Sequence, residues 1–453
     1  MTVKDLHARF VADTQDHISE DALEDSASTL IPADTLIVAT RMSLGKITRP
    51  AVPTAINQDL KALFLHDGID KTYVEYLWRA NEARIQGMGT GTTVKGIRLE
   101  DIHGLEVSLA PSLEQTRIAN QLDTLLTRIK ACNDRFDAIP ALLKRFRQTV
   151  LDAATTGKLT DDWRKDKLDQ VTVEEVVAAR LAVAGARPTK AASEFFADHH
   201  PAMPQKGALP GTWLSTHIGM VGTVSNGSTP SRQEPLYWGS GIPWVSSGEV
   251  ANGVIRQTRE QITNDGFNNS SVRLLPRGTV LMAMIGEGKT RGQSAILDID
   301  ACINQNIAGV VPVDGILDSK YLWFWFRREY ENTRTKGNGS GPKALNCERV
   351  RELEINLPPL VEQTEIIRRV EALFTLADRI ETRRTAARSQ AQRLTPLVLA
   401  KAFRGELVPQ DPNDEPASTL LARIGSSNTA LAGKNMRKVP VARMEPSQKA
   451  INL

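Results

Sequence analysis

The chain has 453 residues, enough for two to four domains each with its own core, and carries a net charge of +3 with a pI of about 8.7. That mildly basic balance admits nucleic acid as a partner without demanding it. Cys132, Cys302 and Cys347 are scattered without metal-ligand spacing, no charged-then-apolar leader follows Met1, and no run of eighteen apolar residues occurs; a cytoplasmic chain without membrane spans, disulfides or zinc is expected.

Residues 1–110 alternate short apolar runs with Gly and Pro, the pattern of compact α/β or mostly β structure. A long helix follows over 111–159. Its apolar residues fall at Ile118, Leu122, Leu125, Ile129, Cys132, Phe136, Ile139, Leu143, Phe146 and Val150, in strictly alternating steps of four and three. This 3.5-residue period marks a narrow seam of coiled-coil type. At 1.5 Å per residue such a helix is roughly 60 Å long, a spacer by its dimensions. Pro140 inside it removes a backbone donor and should bend or interrupt it.

Residues 160–208 read as a linker, with a short helix near Val173 to Val183, then Pro188, Pro201 and Pro204; His199-His200 is expected to be solvated. A second compact stretch covers 209–357, and a second long helix, with Pro396 inside it, covers 358–408. Residues 409–453 are rich in Pro, Ser and Asn, end in a basic polar stretch, and are expected to be a disordered tail.

The second half repeats the first. Leu113-Glu114-Gln115-Thr116-Arg117 returns as Val361-Glu362-Gln363-Thr364-Glu365, an offset of 248 from Glu114 to Glu362, and Gly157-Lys158-Leu159 answers Gly405-Glu406-Leu407 at the same offset. The second seam runs Ile366, Val370, Leu373, Ala377, Ile380, Arg384, Ala387, Ala391, Leu394 and Val398. Arg384, Ala387 and Ala391 stand where the first copy has Phe136, Ile139 and Leu143, and bulk facing small residues predicts that the two helices pair with each other. The compact stretches match as well: Ile31–Leu36 with Leu275–Val280, Ile56–Asp59 with Ile303–Asn306, Tyr73–Trp78 with Tyr321 onward, and Ile97–Leu105 with Leu345–Leu353.

These features resemble the specificity subunit of type I restriction-modification systems, over nearly the whole chain. The residues carrying the resemblance are Leu357-Pro358-Pro359-Leu360-Val361-Glu362-Gln363 leading into a helix that ends Ala402-Phe403-Arg404-Gly405-Glu406-Leu407. Their first-copy equivalents are Pro111 to Gln115 and Ala154 to Leu159. The second domain also opens as that family's recognition domains do, with Leu209-Pro210-Gly211-Thr212-Trp213, Gly227-Ser228-Thr229-Pro230 and Tyr237-Trp238-Gly239-Ser240-Gly241-Ile242-Pro243-Trp244.

The resemblance implies an α+β chain with two α/β target recognition domains in tandem, each followed by a long helix, the two helices packing as an antiparallel coiled coil. It implies a non-catalytic subunit that reads a bipartite target in double-stranded DNA. It would direct adenine methylation and cleavage by partner methyltransferase (modification) and endonuclease/translocase (restriction) subunits. A methylation-only complex, or a coiled-coil scaffold with no DNA role, are the competing readings. Aligning Ile18 with Ile262 sets Met1 opposite Val245, so the first domain lacks a counterpart to Leu209 through Trp244 and is expected to be truncated at its N-terminus.

No catalytic motif is complete. Gly288-Lys289-Thr290 has the ending of a P-loop, but Ala283 stands where its first Gly should be; Asn356-Leu357-Pro358-Pro359 approaches the Asn-Pro-Pro-aromatic motif of adenine methyltransferases without completing it. Neither a cofactor nor a metal is expected. Gly87–Gly91 and Gly337–Gly341 read as loops that could approach DNA closely or as plain surface turns. Around the second loop, Arg334, Lys336 and Lys343 come without an intervening acid, which favours phosphate contact, and Lys95 is the counterpart of Lys343. Arg273, Arg277, Lys289 and Arg291, with Gln293 nearby, include groups suited to bidentate contacts with guanine and adenine; Arg41, Lys46 and Arg49 are their first-domain counterparts. The clusters Lys144, Arg145, Arg147 and Arg379, Arg383, Arg384, Arg388 read as solvated helix faces, and Asn57-Gln58 and Asn304-Gln305-Asn306 as structural residues inside apolar runs.

Overall fold

The computed structural model describes residues 1–431 apart from 27, 92–94, 166–168, 185–194, 197, 200, 203–208, 252, 287–288 and 336–344. Two helices of 44 residues, α2 (Ser112–Thr155) and α5 (Leu360–Phe403), continue through Pro140 and Pro396 without interruption. The chain divides into two compact units, 1–137 with 385–453 and 138–384. Each unit therefore holds one sheet domain, the first part of the helix that follows it and the last part of the other long helix.

Unit 1 contains β1 (Phe10–Val11), β2 (Thr29–Ile31), β3 (Leu36–Ala39), β4 (Ile47–Pro50), β5 (Thr54–Ile56) and β6 (Leu60–Leu63). A four-stranded sheet has the order β1-β4-β3-β6, beside a β2-β5 ladder. β3 is a short unbroken apolar run with all four residues buried, as a strand covered on both faces requires. Helix α1 (Lys71–Ala80) starts where the Asp70 side chain accepts the Tyr73 N–H at 2.8 Å. It buries Tyr73, Tyr76 and Leu77 in one cluster with Ile118, Ala119 and Leu122 of α2 and Leu399 and Ala402 of α5. The tail differs from expectation. Residues 417–431 form helix α6 (Ala417–Leu431), with Leu420 buried against Gly68 and Asp414 paired to Arg117 at 2.5 Å. Pro, Ser and Asn masked an apolar face that includes Leu420 and Ile424; residues 432–453 lie outside the described residues.

Unit 2 opens with the last part of α2 and helix α3 (Val173–Ala184), which has a counterpart in α6, whose first residue, Ala417, lies 244 positions after Val173. Its strands are β7 (Leu214–His217), β8 (Gly222–Asn226), β9 (Trp238–Val245), β10 (Val254–Ile255), β11 (Glu260–Ile262), β12 (Val280–Ala283), β13 (Ser294–Leu297), β14 (Cys302–Ile303), β15 (Ile307–Pro312) and β16 (Glu354–Leu357). They form sheets β10-β13-β12-β15-β8, β11-β9-β14 and β16-β7. Helix α4 (Ser319–Thr335) buries Tyr321, Leu322, Phe324, Trp325 and Phe326, and the same core takes in Val150, Leu151 and Ala154 of α2 with Ile366, Ile367 and Val370 of α5.

The two sheet domains share several pairings. β1 runs parallel to β4 with Phe10 beside Arg49, and β10 runs parallel to β13 with Val254 beside Ile296. The Asn57 N–H reaches the Met1 carbonyl at 3.3 Å, and the Asn304 N–H reaches the Val245 carbonyl at 3.1 Å. Unit 2 alone carries strands equivalent to β7 and β8 among the described residues.

Two further expectations need correction. The start of the linker is part of the unit 2 core: Val171 and Val176 are buried, and Thr160 is fully so. His199 is half-buried and stacked on Phe195 with 4.1 Å between ring centroids, while His200 lies outside the described residues. Along the helices the seam holds at Ile118, Leu122, Leu143, Val150, Ile366, Val370, Ala377 and Ala391, but Cys132, Ile380 and Leu394 are exposed. A straight helix drifts against a 3.5-residue repeat, and by its last turns α5 buries Leu399 and Ala402 instead.

The buried centre of unit 2 is the Glu362 carboxylate, 1% exposed, which accepts the Thr160 hydroxyl at 2.7 Å, Arg164 Nη2 at 2.7 Å and Trp213 Nε1 at 2.9 Å. Its repeat partner Glu114 is 4% exposed, and burial raises its carboxyl above the usual range. Glu362→Ala is expected to cost about 3–5 kcal/mol by removing the acceptor shared by Thr160, Trp213 and the half-buried Arg164, measured by chemical denaturation. Glu114→Gln should behave oppositely. A raised folded pKa gives stability that is full below the unfolded carboxyl value and lost as pH rises through the folded one. The variant should thus exceed the parent at neutral pH, with the gap closing on acidification.

Candidate nucleic-acid interface

In unit 2 residues 289–292, between β12 and β13, close on the last turn of α4. The Tyr330 hydroxyl donates to the Lys289 carbonyl at 2.7 Å; Arg291 Nη2 donates to the Arg334 carbonyl at 3.0 Å, and Arg334 Nη1 to the Arg291 carbonyl at 3.3 Å. Gly292 takes φ +81° where the chain passes the helix, and a Cβ there would meet Thr333 Oγ1 at 2.6 Å. Unit 1 repeats the device at Gly45, φ +86°, where a Cβ would meet Glu82 Cγ at 2.6 Å.

A second loop joins each hairpin at this end. In unit 1 the Met42 N–H reaches the Lys95 carbonyl at 3.1 Å and the Ile97 N–H reaches the Thr40 carbonyl at 2.9 Å; in unit 2 the Leu345 N–H reaches the Met284 carbonyl at 3.1 Å. The hairpin loop and the end of the segment after the helix therefore come together in both units. They form a ledge that carries exposed Arg41, Lys46 and Lys95 in unit 1 and exposed Lys289 in unit 2.

The candidate residues sort into distinct environments. Lys289 is exposed on the unit 2 ledge beside half-buried Gln293, and Lys46 and Lys95 are exposed in unit 1. Arg41, 62% exposed, sits 3.6 Å from Asp59. Arg291 and Arg334 are half-buried and spend donors on each other's backbone, so they shape the loop. Arg273 and Arg277 are exposed but lie towards the opposite end of the hairpin from Lys289, because Arg277 precedes β12 and pairs at 2.6 Å with Asp298 just after β13. The six described unit 2 candidates are thus not one patch. Arg49 is corrected outright: at 5% exposure it pairs at 2.7 Å with Glu75 and donates to Thr72, occupying the register position of Ile296 in unit 2. Lys336, Lys343 and the loop Gly337–Gly341 lie outside the described residues.

Asn57 and Asn304 each accept, through Oδ1, the N–H two residues on, at 3.2 and 3.1 Å; they hold turns. Sequence reasoning passed over Arg232, whose guanidinium lies 3.6 Å from the Trp238 ring centroid and pairs with Glu260 at 2.5 Å. Its signal was an arginine between Ser228-Thr229-Pro230 and Tyr237-Trp238. Among the described residues no group of three His, Cys, Asp or Glu side chains could hold a metal ion, and no helix is long and apolar enough to cross a membrane.

The family model described as the type I restriction modification DNA specificity domain matches residues 7–139 and 210–387, which is more than half of the chain and takes in both sheet domains. The chain belongs to that family. The EcoDI type I restriction enzyme specificity subunit of Escherichia coli is 28% identical over 381 residues, covering 81% of this chain and 78% of the relative. The EcoBI specificity subunit of Escherichia coli is 27% identical over 411 residues, covering 84% and 77%. The crystal structure of the HsdS subunit from Thermoanaerobacter tengcongensis superposes with a TM-score of 0.53 at 17% identity, over 83% of this chain and 82% of that one. A chain from a study of complex assembly and conformational transition in the type I restriction-modification system gives a TM-score of 0.54 at 16% identity, over 84% and 85%. These likenesses agree with an α+β fold carrying two tandem domains.

Membership makes this a non-catalytic specificity subunit. For such a subunit, the exposed lysines separate from the buried arginine by their mutational signature. Lys289→Ala, Lys46→Ala and Lys95→Ala should each weaken DNA binding and reduce the slope of log K against log salt by about one, with unfolding midpoints unchanged. Arg49→Ala should instead lower stability by about 2–3 kcal/mol, because Glu75 loses one of its buried partners. Salt titrations and denaturation curves on the four variants check this.

Proposed function

We propose that this specificity subunit reads a bipartite sequence in double-stranded DNA, each sheet domain taking one half. Residues 1–110 and 209–357 are the two target recognition domains. α2 and α5 pack as an antiparallel coiled coil that sets the number of unread base pairs between the halves. The observation that carries the reading is the duplicated unit within the specificity family: the same hairpin, loop and helix start occur twice, each ahead of a 44-residue helix. Antiparallel pairing is supported inside each unit, where the first turns of one long helix share a core with the last turns of the other.

Base edges are distinguished by positioned donors and acceptors in the major groove, whereas backbone cations fix register, so two rigid platforms at a set distance suit a split site. Chemistry falls to partners: methyltransferase subunits that modify adenine and endonuclease/translocase subunits that cleave. The assembly works in the cytoplasm, where the chain meets DNA. Mapping methylated adenines across the genome in cells with and without the chain tests the proposal. A two-part motif with a fixed gap that vanishes with the chain is expected; no chain-dependent methylation, or a motif without a gap, would sink it.

A further inference from the structure

In each unit an asparagine that holds a turn places a glutamine at its outer side. The Asn57 carbonyl accepts the Leu60 N–H at 3.2 Å while its side chain accepts the Asp59 N–H at 3.2 Å. The Asn304 carbonyl accepts the Ile307 N–H at 3.3 Å while its side chain accepts the Asn306 N–H at 3.1 Å. Residues 57–60 and 304–307 are thus matching turns, closed by backbone and side chain together, with glutamine in second place. Ile56, Leu60, Ile303 and Ile307 are buried around them, whereas Gln58 and Gln305 are exposed.

Both turns are fastened to the ledge by equivalent bonds. The Thr40 N–H donates to the Asp59 carbonyl at 2.8 Å, and its own carbonyl accepts the Ile97 N–H at 2.9 Å. The Met284 N–H donates to the Asn306 carbonyl at 2.9 Å, and its own carbonyl accepts the Leu345 N–H at 3.1 Å. Each glutamine therefore stands one residue from a bond to the loop that carries Arg41 and Lys46 in unit 1 and Lys289 in unit 2.

The fold makes little use of these two side chains. That of Gln58 has no partner among the described residues. Gln305 accepts the Thr229 hydroxyl at 2.5 Å through Oε1, which orients the amide and leaves both N–H donors and a second lone pair. An exposed second position in such a turn accepts most residue types, so the turn does not itself select glutamine twice. The next residue does differ between the units, Asp59 against Asn306.

We propose that Gln58 and Gln305 are specificity-determining residues, each reading an adenine of its own half-site in the major groove, with Nε2 donating to N7 and Oε1 accepting from the N6 amino group. The inference rests on the bipartite reading above. A glutamine amide matches that donor and acceptor pair, and no other base presents it. Readers of two different half-sites share a base contact only where the halves share a base, and with adenine as the modified base the shared one is adenine. The neighbouring cations then fix register on the flanking phosphates.

The test maps methylated adenines in cells carrying the parent chain, Gln58→Ala or Gln305→Ala, each with its methyltransferase subunits. Each variant should return a motif degenerate at one A·T position in one half, the other half for the other variant, with the gap unchanged. Unfolding midpoints should equal that of the parent. A duplex of the parent motif with 7-deazaadenine at that position lacks only the N7 acceptor. It should bind the parent chain about fivefold or more weakly, while the matching glutamine variant loses nothing further. The base change leaves the protein untouched, so it decides the matter even where a variant methylates nothing. The proposal is overturned if both variants return the parent motif, if the degenerate position is not A·T or spans both halves, or if 7-deazaadenine has no effect. A parent chain that yields no gapped motif defeats the bipartite reading itself, and this inference with it.

Discussion

A buried glutamine in the first turn of each long helix fixes where that helix stands on its sheet domain. Gln363 accepts the Asp318 N–H at 2.7 Å and donates to the Ile316 and Pro358 carbonyls at 2.8 and 2.9 Å. Gln115 accepts the Asp70 N–H at 2.9 Å and donates to the Ala110 carbonyl at 2.8 Å. Asp70 and Asp318 stand immediately before α1 and α4. One amide therefore joins the start of the domain's main helix to the start of the rod that follows. An amide has donors and an acceptor at fixed angles, and both glutamines are fully buried, so an apolar or acidic substitute would leave backbone groups unsatisfied. The repeated Glu-Gln-Thr is thus a joint, and any angular precision between reader and rod passes through it.

The glutamate beside each glutamine shows what the joint tolerates. Glu362 and Glu114 occupy the same turn, where negative charge near a helix N-terminus is favoured. Glu362 is met by arginine, hydroxyl and indole donors, while Glu114 faces a cavity. The duplication kept the acceptor in both units although the described residues supply its donors in one alone. A carboxylate retained without donors would gain nothing from burial. Five other residues lining that cavity also keep their identity between the units.

Much of this was legible in sequence because it rests on period and repetition. The four-three spacing gave the rods, and the 248-residue offset gave the paired domains, since both register directly in the order of residue types. The losses came where the same residue type serves two environments. Arg49 and Lys46 look alike as cations three positions apart, yet Arg49 lies within β4, where all four residues are buried, and Lys46 in the loop just before it. Arg291 and Arg334 look like phosphate binders until their donors are found on each other's backbone. The helix at 417–431 hid because Pro416 precedes it and Gly425, Ser426, Ser427 and Asn428 interrupt its apolar residues. Its place after the second long helix, matching that of α3 after the first, was the available signal. In each case the missing information is which group lies across from the residue, and no local pattern contains that.

Duplication within one chain also raises an assembly problem, because a strand or helix of one copy could dock in the other. The cores answer it with different chemistry at equivalent positions. In unit 1 the fully buried Glu75 pairs with Arg49 at 2.7 Å, Arg79 at 2.8 Å and Arg9 at 3.0 Å. In unit 2 the position of Glu75 is Trp323, bonded to the Ser294 carbonyl at 3.3 Å in a core that includes Ile296. Had β4 docked beneath α4, Arg49 would be buried without its acid. Had β13 docked beneath α1, Glu75 would lose a partner to Ile296. Either exchange leaves a buried charge short of compensation, which costs several kcal/mol, whereas an exchange between two apolar cores would cost little. The charged network in unit 1 therefore contributes more to choosing the correct partner than to stability. It explains how two sheets of the same topology, with near-identical helix joints, can fold in one polypeptide without trading parts.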